Sequence, residues 1–257
     1  MVESAHRFTG SPASCGRYLL CPDVLLIPLE DGTARLVDLD GSFFDLSQTA
    51  AQMLKSSLEQ GEADTIQQIA AEYNTDLDTV RTDLTALLTD LRAKGLVRHG
   101  DDRLSWMRLR AAIAITLCYP GLWILGLIHN RRLKTLALLV LARLSFELAG
   151  WARTVEAWQK YLRTQHVLAA SSEPERFIET IDNAIRRSPR VVHSIGCKER
   201  ALCCWFMLRS AGIPAKLVMG VQFSPFAGHC WCEVEGRILT DSPESCKAYS
   251  PVICYEG

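Results

Sequence analysis

The sequence has no secretory signal at its start: MVESAHRFTGSPASCG lacks a basic opening followed by an apolar run. A cytoplasmic chain with reduced thiols is therefore expected, and its ten cysteines are not read as a disulfide scaffold. Most of them are expected as small buried hydrophobes. No C-x-x-C knuckle occurs, which argues against a structural zinc, and no metal is expected. No G-x-x-x-x-G-K phosphate loop occurs, so no nucleotide or other cofactor is expected on this chain. There is no dense Arg/Lys cluster with interleaved aromatics, which argues against a nucleic-acid partner. Internal repeats and low-complexity tracts are missing as well.

What is present is an ordinary globular composition with an uneven charge. The 257 residues are 48% hydrophobic and 22% charged, enough for one large or two modest domains. Residues 1–100 carry 8 Lys+Arg against 15 Asp+Glu, a net −7, while residues 101–257 carry 20 against 14, a net +6. Two units with different surfaces are expected, divided at the charged section His99–Arg110. The run AAIAITLCYPGLWILGLI, Ala111–Ile128, is apolar and about long enough to span a bilayer. Pro120-Gly121 in its middle predicts two short buried or interfacial helices instead, with membrane contact at 111–128 as the alternative. The following run, RRLKTLALLVLARLSFEL, predicts a core helix. Helix is expected across 101–190, with breaks at Ser171–Pro174 and at Ser188-Pro189.

The first hundred residues read as three strands followed by three helices. Strands are predicted at Val24–Leu29, Ala34–Leu39 and Ser42–Leu46, joined by turns at Glu30-Asp31-Gly32 and Asp40-Gly41. Ser47 caps a helix that stops at Gly61, a second covers Asp64–Tyr73, and a third runs from about Leu77 to Lys94. Val80, Leu84, Leu87 and Leu91 line one face of the third helix, and Leu96-Val97 adds a short strand. This order predicts a compact winged-helix-like α+β unit.

The last seventy residues read as helix, strand, loop, strand, turn, strand. In HCWCEV, taken as a strand, His229, Trp231 and Glu233 share one face and Cys230, Cys232 and Val234 the other. The histidine and the two cysteines cannot jointly ligate one ion from such a strand. Cys230 and Cys232 are expected in the core, where alanine or valine would serve equally well. Across the Glu235-Gly236 turn, Asp241 at the end of the next strand can sit close to His229 and fix its tautomer. Cys197 stands at a helix start, where the helix dipole and an adjacent imidazolium lower a thiol pKa. Cys197, His229 and Asp241 thus form a candidate nucleophile, base and orienting acid. His193 is a rival base expected in a loop, and Asp182 is expected as a solvated surface carboxylate. The residues alone leave both readings open, a Cys-His-Asp triad or a buried thiol with unrelated neighbours.

The run from Gly196 to Asp241 resembles the transglutaminase-like cysteine peptidase domain of lasso-peptide B-proteins. The resemblance rests on Cys197, Arg200, Leu208-Arg209, Gly212, Leu217-Val218, Gly220-Val221, Pro225-Phe226, His229, Trp231, Glu233, Gly236 and Asp241. The departures are Cys230 and Cys232, where small or aliphatic residues are usual, and Thr240, where asparagine is common. Residues 24–98 are similar to the PqqD-like recognition element of pathways to ribosomally made, modified peptides (RiPPs), on the strand and helix order and the ending Leu91–Val97.

The resemblance implies a fold and a function. The fold class is α+β: a leader-recognition domain over 1–100, and over 101–257 a papain/transglutaminase-like peptidase domain, helical in 101–190 and catalytic in 191–257. The first domain would bind a precursor's leader as an added strand at the sheet edge beside the third helix. That points to Ser42, Phe43, Phe44, Asp45, Val80 and Leu84 as leader-binding residues, with one of the two phenylalanines in the core. The second domain would cut leader from core peptide through Cys197, His229 and Asp241. The partners implied are the precursor peptide and an ATP-dependent macrolactam-forming cyclase, with ATP belonging to the cyclase. Two alternatives are a transglutaminase-like acyltransferase or amidase on another substrate, and a non-catalytic peptide-binding protein on a degenerate peptidase fold.

Overall fold

A computed structural model describes residues 17–39, 41–100, 106–128, 130–164, 173–187 and 195–256. Asp40 of the second predicted turn, the breaks at Ser171-Ser172 and Ser188-Pro189, and His193 lie outside the described residues. The chain forms two compact units, residues 1–105 and 106–257. The architecture is mixed α+β.

The first unit runs β1 (Tyr18–Leu20), β2 (Val24–Pro28), β3 (Ala34–Asp38), β4 (Phe43–Leu46), α1 (Gln48–Glu59), α2 (Glu62–Tyr73), α3 (Leu77–Ala93) and β5 (Val97–His99). Strands β2, β3 and β4 form an antiparallel sheet in that order, so β4 is an edge. Strands β1 and β5 pair separately. Strand β1 has no sequence signal of its own, because three residues are too few to show alternation, and its partner lies at the far end of the unit. The helix ends follow capping chemistry. Ser47 accepts from the Ala50 N–H, and Asp76 accepts from the N–H groups of Asp78 and Thr79 at 3.0 and 3.1 Å. Asn74, in the left-handed region at φ 49°, closes α2.

One core joins the sheet to the helices, built from Leu26, Leu36, Leu46, Leu54, Ile69, Val80, Leu84, Leu88 and Leu91 among others. This corrects two expectations. Leu88 is fully buried and Leu87 only partly, so the core stripe of α3 passes through 80, 84, 88 and 91. Val80 and Leu84 therefore face the core and cannot line a peptide groove; the exposed flank of α3 holds Thr82, Thr85, Ala86 and Thr89 instead.

The second unit runs α4 (Trp106–Gly126), α5 (Arg131–Ala149), α6 (Trp151–Thr164), α7 (Pro174–Arg186), α8 (Cys197–Ser210), β6 (Lys216–Phe223), β7 (Phe226–Val234), β8 (Arg237–Leu239), α9 (Pro243–Cys246) and β9 (Ser250–Glu256). Its antiparallel sheet has the order β8-β7-β6-β9. The sequence reading lacked α9 and β9, whose short, Pro-containing segment shows weak periodicity. Helices α5, α6 and α7 and the sheet pack around α8. Trp158 meets Phe206 of α8 edge-on at 4.9 Å, and the Trp151 indole N–H donates to the Tyr255 hydroxyl at 3.0 Å.

Two helical expectations are corrected here. α4 is one helix of 21 residues with Pro120 inside it, not two pieces broken at Pro120-Gly121. A proline costs a helix one N–H bond but has the φ a helix needs, and packing outweighs that loss. Gly121 brings α4 close to α5: a β-carbon there would stand 3.4 Å from the Leu141 side chain. α5 is core on one face only. Leu138, Leu139 and Ala142 are buried, while Leu133, Leu136, Val140, Leu144 and Leu148 form an exposed apolar stripe. Among the described residues, no helix is long and apolar enough to cross a membrane.

Because Leu84 is a fully buried core residue, Leu84→Ala should destabilise the first unit by about 2–5 kcal/mol. Urea unfolding of the full chain, followed by helical circular dichroism, checks this; an unchanged transition would put Leu84 outside the core.

Candidate active site

α8 is buried nearly all round, with Ala201, Leu202, Cys203, Cys204, Trp205 and Leu208 fully covered. Its N-terminus reaches the edge of the core, and Cys197 is its first residue. The cap residue, Gly196, has no side chain to cap with. Glu199 replaces it: the buried carboxylate accepts the Gly196 N–H at 2.8 Å, half of a capping box. Arg143 of α5 approaches the same carboxylate at 3.5 Å and pairs with Glu147 at 2.6 Å, so the buried charge has a counter-charge. Glu199 escaped the sequence reading, although its position three residues after the cap is the signal that identifies it.

β7 supplies the imidazole. It pairs with β6 so that His229 stands opposite Gly220 and Trp231 opposite Val218. Glycine is required at 220, because a β-carbon there would lie 2.9 Å from the Trp231 ring and 3.0 Å from Cβ of Tyr249. His229 lies between these two aromatic residues, with ring centroids 6.2 Å from Trp231 and 5.0 Å from Tyr249. That packing fixes the plane of the imidazole.

Asp241 arrives by a different route from the one the sequence suggests. β8 ends at Leu239, which pairs with Cys232. Thr240 then takes φ 71°, in the left-handed region that a β-branched residue rarely adopts. The chain leaves the ladder there and carries Asp241 towards His229. Oδ2 of Asp241 stands 2.7 Å from Nε2 of His229, and Oδ1 accepts the Ser242 N–H at 2.7 Å. Nε2 does not point its N–H straight at Oδ2, so this contact is a close ion pair rather than a linear hydrogen bond.

The surroundings of Thr240 and Asp241 overturn the expectation of a solvated Asp182. Its side chain on α7 is 15% exposed, accepts the Thr240 N–H at 2.7 Å and pairs with Arg186 at 2.8 Å. Arg186 in turn donates to the Asp241 carbonyl at 2.6 Å. The sequence offered only the i, i+4 spacing of Asp182 and Arg186, which is common on exposed helix faces.

The thiol and the imidazole are electrostatically matched. The Cys197 pKa is pulled from 9.0 down to about 4, first by a hydrogen bond from the Cys230 thiol and then by the hydrogen bond and charge of His229, with the Cys230 N–H adding to both; burial opposes the shift. His229 is raised above 6.5, first by its hydrogen bond with Cys197, then by the charges of Cys197 and Asp241, against desolvation. Thiolate and imidazolium therefore coexist above about pH 4 and up to the raised histidine pKa. Cys230 is buried as expected, but alanine or valine would not replace it, since its thiol contacts Cys197. Cys230 itself is pushed up, chiefly by burial. Cys232 is buried against Cys204, whose thiol is pushed up by that hydrogen bond and by burial. The nine described cysteines are free thiols, and among the described residues no group of three or more His, Cys, Asp or Glu is arranged around a metal site.

In the first unit, Ser42, Phe43 and Asp45 are exposed on or beside the edge strand β4. Phe43 is 42% exposed under the Arg35 guanidinium at 4.8 Å, and Arg35 also pairs with Asp45. Phe44 faces the opposite way and packs on the core. An open groove runs along the exposed flank of α3, lined by Arg81, Thr82, Thr85, Ala86, Thr89 and Asp90.

Comparison with known proteins agrees with this layout. Residues 136–254 match the Transglutaminase-like superfamily, and residues 24–97 match Coenzyme PQQ synthesis protein D (PqqD). No curated protein and no solved structure matches the chain.

Two outcomes test the geometry. Alkylation of Cys197 by iodoacetamide, followed by peptide mapping, should keep its rate from about pH 8 down to about pH 5 and fall only towards pH 4. An inflection near the ordinary thiol value of 9.0 would mean that the imidazole does not hold the thiolate. Gly220→Ala should destabilise the second unit by about 1–3 kcal/mol through overpacking and slow the same alkylation, because Trp231 must shift beside His229; wild-type values for both would remove the packing constraint.

Proposed function

From a chain that joins a PqqD-type recognition element to a transglutaminase-like domain, the architecture of the fused B-proteins of lasso-peptide biosynthesis, we propose a leader peptidase. PqqD-type domains bind precursor peptides in RiPP pathways. In our reading the first unit holds the leader of a lasso-peptide precursor, and the second unit cuts between leader and core with a Cys-His-Asp triad. The observation that carries it is the Cys197 thiol against His229, with Asp241 2.7 Å beyond, at the start of a buried helix in a transglutaminase-like domain.

The chemistry follows from the protonation states. The Cys197 thiolate attacks the scissile carbonyl, and the carbonyl oxygen becomes an oxyanion. Backbone N–H groups in the first turn of α8, which have no acceptor within the helix, stabilise that charge. The His229 imidazolium gives its proton to the leaving amine as the C–N bond breaks, leaving an acyl thioester on Cys197 and a free core amine. Neutral His229 then takes a proton from water, whose hydroxide attacks the thioester and releases the leader carboxylate and the thiolate. Asp241 keeps the imidazole oriented and stabilises its charged form.

The leader adds as a strand to the outer side of β4, over Ser42, Phe43 and Asp45. Phe43 lies on the exposed face of the edge and Phe44 supports the strand from the core. The freed core amine passes to an ATP-dependent cyclase that closes the macrolactam. Cutting in the cytoplasm and handing over at once suits a product amine that must not be lost.

The test is mass spectrometry of a precursor peptide encoded beside this gene, incubated with wild type and with Cys197→Ala. Wild type should give one cut at the leader–core junction. The variant should give none, with leader affinity within about twofold of wild type, because its alteration lies in a different unit from β4. Cutting by the variant would remove Cys197 as nucleophile, and amide exchange without hydrolysis would favour an acyltransferase.

A further inference from the structure

We propose that Asp182 and Arg186 of α7 are positioning residues for Asp241, holding the acid of the site from outside the sheet. The inference rests on the reading of Cys197, His229 and Asp241 as a catalytic triad. It assigns a part in that chemistry to a helix that contributes none of the three residues.

Asp241 has no strand to hold it. The ladder between β7 and β8 ends at Leu239, and Thr240 turns away at φ 71°. Such a conformation persists only where its surroundings over-determine it. Here one turn of α7 does so. Oδ1 of Asp182 accepts the Thr240 N–H at 2.7 Å, and Arg186 Nη2 donates to the Asp241 carbonyl at 2.6 Å. The two bonds bracket the dipeptide at its first donor and its last acceptor. The 2.8 Å pair between Arg186 Nε and Asp182 Oδ2 locks the two clamping side chains to each other. Arg237, at the start of β8, meets Glu175 of the same helix at 3.4 Å, so α7 also touches the other end of that strand.

The Asp182 carboxylate is mostly sheltered, and its two oxygens are both used. Without it, the Thr240 N–H loses its acceptor and the residue can relax to an ordinary negative φ. That rotation carries Oδ2 of Asp241 away from Nε2 of His229. The imidazole then loses the group that orients it, and its hydrogen bond to Cys197, one of the causes that hold that thiol low, weakens. The other ionisable groups beside the clamp are the thiols of Cys204, near Asp182, and Cys246, near Asp241 and Arg186, both with raised pKa and neutral near pH 7.

The test is the pH profile of Cys197 alkylation by iodoacetamide in the full chain, with thermal melting in parallel. This probe needs no peptide recognition, so it reports the thiolate alone. Asp182→Ala should move the inflection up by about one pH unit, making alkylation roughly tenfold slower in the acid limb. Asp182→Asn keeps an acceptor for Thr240 but not the Arg186 pairing, and should fall between Asp182→Ala and wild type. Arg186→Ala removes the Asp182 pairing and the bond to the Asp241 carbonyl from a side chain 39% exposed but leaves the Thr240 N–H its acceptor; it should fold, and should shift the inflection in the same direction by less. A lowered melting temperature with the wild-type inflection in Asp182→Ala and Arg186→Ala would make the pair structural only and overturn the proposal. If Asp182→Ala does not fold, Arg186→Ala decides. A wild-type inflection near 9.0 would instead sink the triad reading itself, which keeps the two failures apart.

Discussion

The second unit depends on where α8 can go. A helix with apolar residues on nearly every face must be enclosed, and here α5, α6, α7 and the sheet enclose it. Enclosure fixes its axis, and a fixed axis fixes the place where its first turn meets β7. The low pKa of the Cys197 thiol comes from that meeting, with the Cys230 thiol and the His229 imidazole on the strand it faces. The Glu199 carboxylate, buried and paired with Arg143, stops the first turn from fraying at Cys197. The same packing that stabilises the domain therefore places the Cys197 thiol.

The first unit presents a different kind of surface. The first unit spends its α3 leucines on its own core and leaves polar Thr82, Thr85 and Thr89 outside, beside an open groove. Its edge strand is short and carries Phe43 outward. A short edge with a charged neighbour such as Asp45 resists indiscriminate pairing, as the proposed addition of a leader strand there requires.

Much of this was legible in the sequence. The hairpins, the three N-terminal helices, the helix that opens on Cys197 and the strand of His229 each carry a local signal: Asp-Gly turns, capping residues and clean periodicity. What was illegible depends on distant partners. β1 exists because β5 pairs with it. Pro120 is tolerated inside α4, where local propensity predicts a break. Asp182 reads as one more surface carboxylate until the fold brings Thr240 beneath it. The proximity of Cys197, His229 and Asp241 was readable from their order, but not the route of the third: a regular hairpin was expected to deliver Asp241, and a left-handed threonine does so.

That route separates two thermodynamic quantities. Sheet hydrogen bonds, and the slow amide exchange they confer, end at Leu239. Beyond it the backbone is fastened by side chains of a neighbouring helix, so the dipeptide can detach in a sub-global opening that leaves every strand paired. Such an opening costs less than unfolding and disconnects the acid while the domain stays native. In the proposed reading, the fraction of molecules with Asp241 against His229 is then set by this local equilibrium and not by the global stability of the fold.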